Sequence, residues 1–274
     1  MPNSTICLSF DFDALSVWFS YPTTTPGMLA RGEYGARVGV PRVLDLLAQY
    51  AIPATFFIPG HTLESFPHAV AAIQNAGHEI AHHSYAHVDP TQQTPDEERR
   101  DMERALHALA AINVTPRGYR SPSAEISAVT LSLLEEYGFR YDSSLMADDF
   151  RPYHPRIGDQ VSQQTPLVPG REARLWELPF CFELDDWVHF QFNFNPYRNG
   201  TSAPSKVLEI WSAEVNWMHQ HVDGGVLTVA MHPQVIGRAH RIAMLAQFIE
   251  QCIDLGDMAF ARMGDVTQRL EGKA

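Results

Sequence analysis

The sequence predicts an α/β fold, a closed or nearly closed (β/α) barrel of seven or eight parallel strands. Three observations carry this expectation. Short runs rich in β-branched and aromatic residues alternate with amphipathic helical segments along the chain. Seven or eight such units fit into 274 residues, the length such a barrel needs. Polar side chains follow directly after the predicted strands, on the face where a parallel barrel builds its active site. An open doubly wound sheet is the alternative arrangement. No GxGxxG follows the first strand, which counts against a dinucleotide site.

The predicted strands are Ile6–Phe10, Ala54–Ile58, His78–Ala81, Arg117–Tyr119, a short piece near Tyr141, Leu175–Phe180, Val226–Met231 and Met258–Ala261. Helices are predicted between them. Pro41 opens one that runs to about Tyr50, and Pro67 opens another that Gly77 closes. Thr94-Pro95-Asp96-Glu97 is a capping box that starts a helix running to about Ala111. Further helices are expected over Ser127–Tyr137, Pro204–His221 and His240–Leu255, the first and last capped by Gly138 and Gly256. Two stretches, Leu15–Arg37 and Ala147–Arg174, read as long loops, as lids, oligomer contacts or solvated surface. With no linker, repeat or low-complexity tract in view, residues 1–274 are expected to form one catalytic barrel domain.

Composition excludes several classes. Apolar residues make up 45% and the formal net charge is −12. Nothing resembles a basic run, so nucleic acid is not an expected partner. No apolar run reaches the ~18 residues of a membrane span, and no membrane partner is expected. Met1–Ile6 has neither a basic nor an apolar leader region, which predicts a cytoplasmic protein. Cys7, Cys181 and Cys252 are odd in number and form no CxxC, as expected of reduced thiols.

The polar residues that follow the strands are Asp11 and Asp13, His61, then His82, His83 and His87, then Arg120, Asp142 and His232. Asp11 and Asp13 lie two apart and so share a face. Adjacent carboxylates repel unless a cation or proton intervenes, although a capped turn explains DxD as well. His83 and His87, at i and i+4, would share one face of a helical turn. With a carboxylate they complete a His2Asp metal set that leaves room for water and substrate. A competing motif is His78-Glu79-Ile80-Ala81-His82, which spells HExxH. That motif needs a helix. Here Gly77 ends a helix and a strand follows, which would set residues 78 and 82 ~13 Å apart. His232, ending a buried strand and followed by Pro233, suits a proton donor. Arg120 suits a carboxylate partner. Among the aromatics from Trp176 to Phe194, Trp187 beside Asp185 and Asp186 is placed to line a pocket, and most of the others are expected in the core or a subunit interface.

At these residues the chain resembles the polysaccharide deacetylase superfamily, carbohydrate esterase family 4. Five motifs occur in order between Asp11 and His232. Ser9-Phe10-Asp11-Phe12-Asp13 looks like the first, in which the first Asp is the general base and the second a metal ligand. His83-Ser84 to His87 looks like the second, with its two metal histidines. Arg120-Ser121-Pro122-Ser123 looks like the third, whose arginine steadies the base and whose backbone N–H, here of Ser123, faces the oxyanion. Asp186-Trp187 looks like the fourth, and His232 like the fifth, the general acid. Ser121 and Ser123 depart from the usual proline and aromatic, Glu183 from the usual first Asp of motif four, and Thr228 and Ala230 from the usual leucines. Asp11–Ala14 and His232–Arg238 look closer to a branch with cytoplasmic peptidoglycan-deacetylase-like proteins, cyclic imide hydrolases and a metal-free allantoinase-like group. The metal-free group lacks the Asp pair that this chain keeps. The resemblance implies a distorted barrel and a homo-oligomer, often a tetramer.

It further implies metal ligands Asp13, His83 and His87, catalytic Asp11, Arg120 and His232, and Ser123, Trp187 and Asp186 on the substrate and oxyanion side. Zinc is the divalent metal expected from the ligand types, with cobalt, nickel and manganese as alternatives. The expected reaction is attack of activated water on an amide or imide carbonyl, favouring a small cyclic imide or ureide. Alternatives are N-deacetylation of peptidoglycan or other polysaccharide, a zinc peptidase built on HExxH, and a non-catalytic barrel that only binds.

Overall fold

The computed structural model describes residues 4–21, 24–194 and 197–272, with the side chains of residues 194 and 199 left aside. Its centre is one parallel sheet of eight short strands: β1 (Ser4–Asp11), β2 (Thr55–Ile58), β3 (Glu79–His82), β4 (Gly118–Tyr119), β5 (Tyr141–Asp142), β6 (Trp176–Glu177), β7 (Val226–Met231) and β8 (Met258–Phe260). The order is β7-β1-β2-β3-β4-β5-β6. β8 pairs the lower half of β1, at Ser4–Ile6, while β2 pairs the upper half, at Ser9–Asp11. The sheet curls until Asp185, beyond β6, bridges to Ala230 of β7, and the Val226 N–H donates to the Phe150 carbonyl at 2.9 Å. This is the distorted (β/α) barrel that the sequence predicts.

Every predicted strand belongs to this sheet, and the reason is burial on both faces. Ile6, Leu8 and Phe10 of β1 face the helices, with Phe10 stacked on Phe56 at 4.9 Å. The intervening Cys7 joins Phe57, Ala81, Tyr141 and Met263 in the barrel interior. The two-residue period therefore assigns each strand residue to inside or outside, and it decides which polar residues reach the mouth.

The helices are α1 (Pro26–Tyr34), α2 (Val40–Gln49), α3 (Gly60–Ser65), α4 (Pro67–Asn75), α5 (Pro95–Ala111), α6 (Thr130–Glu136), α7 (Asp186–Phe190), α8 (Pro204–His221), α9 (Pro233–Ile236), α10 (Ala239–Asp254) and α11 (Met263–Glu271). Both halves of the predicted capping box form: the Glu97 N–H donates to Thr94 Oγ1, and the Thr94 N–H donates to Glu97 Oε2. α6 starts three residues later than expected, after Ser127 and Thr130 have hydrogen-bonded to Glu98.

One expectation is overturned. Leu15–Arg37 is not a plain loop, because its described residues hold a 3-10 turn (Ser16–Ser20), α1 and a π-turn (Gly35–Gly39) running into α2. Thr25 caps α1 and Pro26 occupies its first turn, a start signal masked by the flanking Pro, Thr and Gly. The π-turn lies against α9, where a Cβ on Gly39 would fall 2.1 Å from the Pro233 carbonyl oxygen. The insertion thus packs directly on the turn that carries His232. Ala147–Arg174 is mostly irregular, apart from a two-residue antiparallel pairing of Arg156–Ile157 with Arg171–Glu172. Among the described residues no helix is long and apolar enough to cross a membrane.

Candidate active site

Strand alternation brings Asp11, His83, Arg120 and His232 inward at the mouth. On β1, Ser9 and Asp11 follow Cys7. On β3, Glu79 and Ala81 face inward, so His83 does too, whereas His82 points out to α5 and contacts the Met102 carbonyl at 3.3 Å. After β4, Arg120 turns inward, and after β7 so does His232. Asp11, His83, Arg120 and His232 line a cavity of about 590 Å³ together with His87, Ser123, Asp185 and Trp187. His61 and Asp142, which also follow strands, do not line it.

The same alternation dismantles HExxH. Residues 79–82 are a strand, so the motif's histidines cannot converge as they would on a helix. His78 accepts the Ala54 N–H and packs on Phe56. Glu79 lies inside the barrel, accepting from Thr55, Tyr141 and the Gly264 N–H, which ties down the start of α11.

Asp13 is fully buried, between His83 and His87. Its Oδ1 lies 3.4 Å from His83 Nε2 and 3.8 Å from His87 Nε2, and this oxygen has no hydrogen-bond partner among the described residues. A buried carboxylate oxygen aimed at two imidazole nitrogens is a group that could hold a divalent cation and leave positions open. The outer contacts suit that use. His83 donates Nδ1–H to the Arg120 carbonyl at 2.7 Å, which leaves Nε2 facing Asp13. Gln234 reaches Asp13 Oδ2 at 3.4 Å. Burial would raise the Asp13 carboxyl, but His87, His83 and His232 hold it down at about 2. Burial pushes the His87 imidazole down to about 4, so it is neutral and offers a lone pair.

His83 and His87 do not sit on the helical turn that their spacing suggested. Residues 83–87 form a loop in which Ser84 and His87 have φ of 61° and 57°. The loop is pinned by the Tyr85 N–H to Asp101 of α5 at 2.8 Å and the His87 N–H to Ser84 Oγ at 2.8 Å. Ala14, Ser123 and Ala124 at the site are also left-handed. Such conformations cost free energy in non-glycine residues, and they gather where the surroundings over-determine the backbone.

Arg120 is buried and spends its whole fork. It donates to Asp11 Oδ1 at 2.8 Å, Ser9 Oγ at 2.9 Å, and the carbonyl and hydroxyl of Ser143 at 2.9 and 3.0 Å. The Phe57 ring lies beneath it at 4.2 Å. Asp11 is therefore fixed at the cavity wall beside the three-ligand cluster. Ser123 lies on the cavity wall in a tight turn whose hydrogen bonds are made by the Ala124 and Glu125 N–H groups.

On the far side, Asp185 bridges to Ala230, which brings Asp186 under His232. His232 Nδ1 lies 2.7 Å from Asp186 Oδ1, and the His232 N–H also donates to that carboxylate. Burial lowers an imidazole's pKa, but here Asp186, Asp185 and Asp13 outweigh it and raise His232 to about 10. It holds its proton at neutral pH.

Two expectations change. Asp186 is not on the substrate side, because it is fully buried behind His232. Glu183 is exposed, and its carbonyl accepts from Trp211. The second carboxylate near His232 is Asp185, 3.6 Å from Nδ1. Sequence reasoning names Asp185 only as a neighbour of Trp187 and gives neither it nor Gln234 a role. The spacing of Asp185 and Asp186 directly before Trp187 was the available signal. Trp187 does line the cavity, with its ring 5.0 Å from that of His232.

A family model described as polysaccharide deacetylase matches residues 32–141. The chain is 33% identical over 259 residues to a peptidoglycan deacetylase of Helicobacter pylori, covering 89% of this chain and 88% of that protein. It is 32% identical to a peptidoglycan deacetylase-like protein of Gibberella zeae, over 86% and 76% of the two chains. The crystal structure of a putative polysaccharide deacetylase from Mycobacterium smegmatis superimposes with a TM-score of 0.89 at 35% identity, covering 99% of this chain and 91% of that one.

Proposed function

Because the chain belongs to the polysaccharide deacetylase family, it is a hydrolase of carbon–nitrogen bonds other than peptide bonds, and within that class we propose a small cyclic imide or ureide as its substrate. The observation that carries this reading is the construction of the cavity wall. Val17, Tyr21 and Met28 of the first-strand insertion line the same cavity as Trp187, Val188 and Arg198, and the two segments are tied together by the Asn193 amide donating to the Tyr21 hydroxyl at 2.6 Å. The joined segments build a high wall over a pocket of about 590 Å³, a size that takes a compact ligand. A sugar polymer needs a groove open at both ends.

In this reading Asp13, His83 and His87 hold a divalent cation, zinc by the character of the ligands. When bound, such an ion supplies Lewis-acid chemistry, acidifying water and polarising the carbonyl. Asp11 accepts the proton of the attacking water, with Arg120 and Ser9 holding its carboxylate in place. The Ser123 N–H faces the developing oxyanion, a contact worth ~3–4 kcal/mol in such sites. His232, oriented by Asp186, passes its proton to the departing nitrogen. Trp187 packs its ring beside that of His232, 5.0 Å away.

A second reading, removal of acetyl groups from N-acetyl sugars, is favoured by the name of the Helicobacter pylori relative, and the cavity has room for a sugar ring. Hydrolysis of hydantoin, dihydrouracil, succinimide and N-acetylglucosamine oligomers by the metal-loaded protein separates the two. The proposal expects turnover of at least one cyclic imide or ureide and none of the longer oligomers. Faster deacetylation of a long oligomer than of any cyclic compound would replace the first reading with the second.

A further inference from the structure

Behind Arg120 lies a second pair of acids, which the reaction described above does not use. Asp142 and Glu177 are directly opposite each other in the register of β5 and β6, and both are fully buried. Each uses one oxygen on the turn that follows β5. Glu177 Oε1 accepts the N–H groups of Ser144 and Leu145 at 2.8 and 2.9 Å, and Asp142 Oδ1 accepts the Ser144 hydroxyl at 2.7 Å. The other two oxygens, Asp142 Oδ2 and Glu177 Oε2, have no donor among the described residues. Two bare carboxylates in cross-strand register, shielded from water, repel strongly.

The turn they hold is the seat of Arg120. Ser143 receives the Arg120 fork through its carbonyl and hydroxyl, and Ser144 Oγ accepts the Ser121 N–H at 2.9 Å. The Ser144 hydroxyl can accept from Ser121 because its own proton is committed to Asp142. A continuous set of hydrogen bonds thus runs from the acid pair to the segment carrying Arg120 and Ser123.

We propose that Asp142 and Glu177 share one proton, carried on Glu177 Oε2 and donated to Asp142 Oδ2, and that this protonated pair is a positioning device for the Arg120–Ser123 segment. Burial, together with the charge of Asp142, pushes Glu177 well above the ordinary carboxylate range, and burial raises Asp142 to about 6. The titratable groups facing the pair are Arg120, Tyr119 and Tyr153. The phenols are neutral, and the guanidinium is committed to Asp11 and Ser143. With one proton the pair carries a single negative charge and every oxygen gains a partner.

Glu177→Gln supplies that hydrogen permanently, since its amide NH2 can donate to Asp142 while its oxygen keeps the Ser144 and Leu145 N–H groups. The unfolded chain releases the Glu177 proton above pH ~4.3, whereas the folded chain keeps it, so wild-type stability falls as pH rises. Denaturant unfolding of the full chain therefore tests the shared proton. Between about pH 6.5 and 8, the wild-type unfolding constant should rise about tenfold per pH unit relative to that of E177Q. A ratio that stays flat with pH overturns the shared proton. Amide hydrogen exchange tests the positioning role. Glu177→Ala should speed exchange at Ser121, Ser144 and Leu145 at least tenfold, and E177Q should restore it. Unchanged exchange in E177A, or no recovery in E177Q, overturns that role. Should E177A fail to fold, Ser144→Ala removes the hydroxyl that joins Asp142 to the Ser121 N–H while Glu177 keeps its two backbone donors, and an unchanged Ser121 rate in that variant is equally decisive against it.

Discussion

His232 Nδ1 lies 2.7 Å from Asp186 Oδ1, and the same carboxylate receives the His232 backbone N–H at 3.0 Å. This buried acid fixes the ring orientation and, with Asp185 and Asp13, keeps the histidine charged. Nε2 is left toward the cavity, 3.7 Å from Asp13 Oδ2.

Asp186→Asn should keep the metal and lose most of its turnover, by about 10²-fold or more, the usual worth of a positioned proton donor. The sign of the pH effect follows from the charges. Asp186 helps to raise His232 to about 10, so removing its charge lowers that value. The alkaline limb of the kcat profile should therefore move to lower pH. Metal analysis with a pH–rate profile checks both points. A limb that stays put would assign the proton donor elsewhere.

Arg120 and Asp11 form a buried ion pair, and removing one partner leaves an uncompensated charge. Arg120→Ala should destabilise the fold by about 3–5 kcal/mol. Asp11→Asn, which removes the charge and keeps the shape, should fold, retain metal and lose turnover. Thermal unfolding and metal content of the two variants decide this. Loss of metal in D11N would make Asp11 a ligand.

Asp101 touches no reacting group, yet it holds the loop of His83 and His87 through the Tyr85 N–H. Asp101→Ala should weaken metal affinity by about 10–100-fold, as loss of outer-shell support does elsewhere. A chelator competition titration measures it. Affinity equal to wild type would mean that the left-handed loop is set by Ser84 alone.

Strand periodicity made much of this legible in advance. All eight strands were recognisable because both faces of a parallel sheet are buried. The inward residues Asp11, His83, Arg120 and His232 then fall on one face by counting in twos. The metal loop was legible in composition but not in conformation, since a spacing of four reads as a helical turn and left-handed φ at Ser84 and His87 leaves no mark in a single sequence. The insertion after β1 was misread as a loop because Pro22, Pro26, Gly27 and Gly32 look like turn residues, although Pro26 in fact starts a helix. Asp186 was recognisable by its neighbour Trp187, but its place behind His232 depends on the Asp185–Ala230 bridge, a contact between segments 45 residues apart that no local pattern encodes.

In the proposed site Asp13, His83 and His87 hold the cation and the HExxH residues do not. Zinc stoichiometry of the purified protein and its alanine variants, after equilibration with excess ion and desalting, tests it most directly. Wild type, His78→Ala and His82→Ala should carry about one zinc per chain, and His83→Ala and His87→Ala close to none, with all variants folded by circular dichroism. Metal retained in His83→Ala and lost in His82→Ala would contradict it.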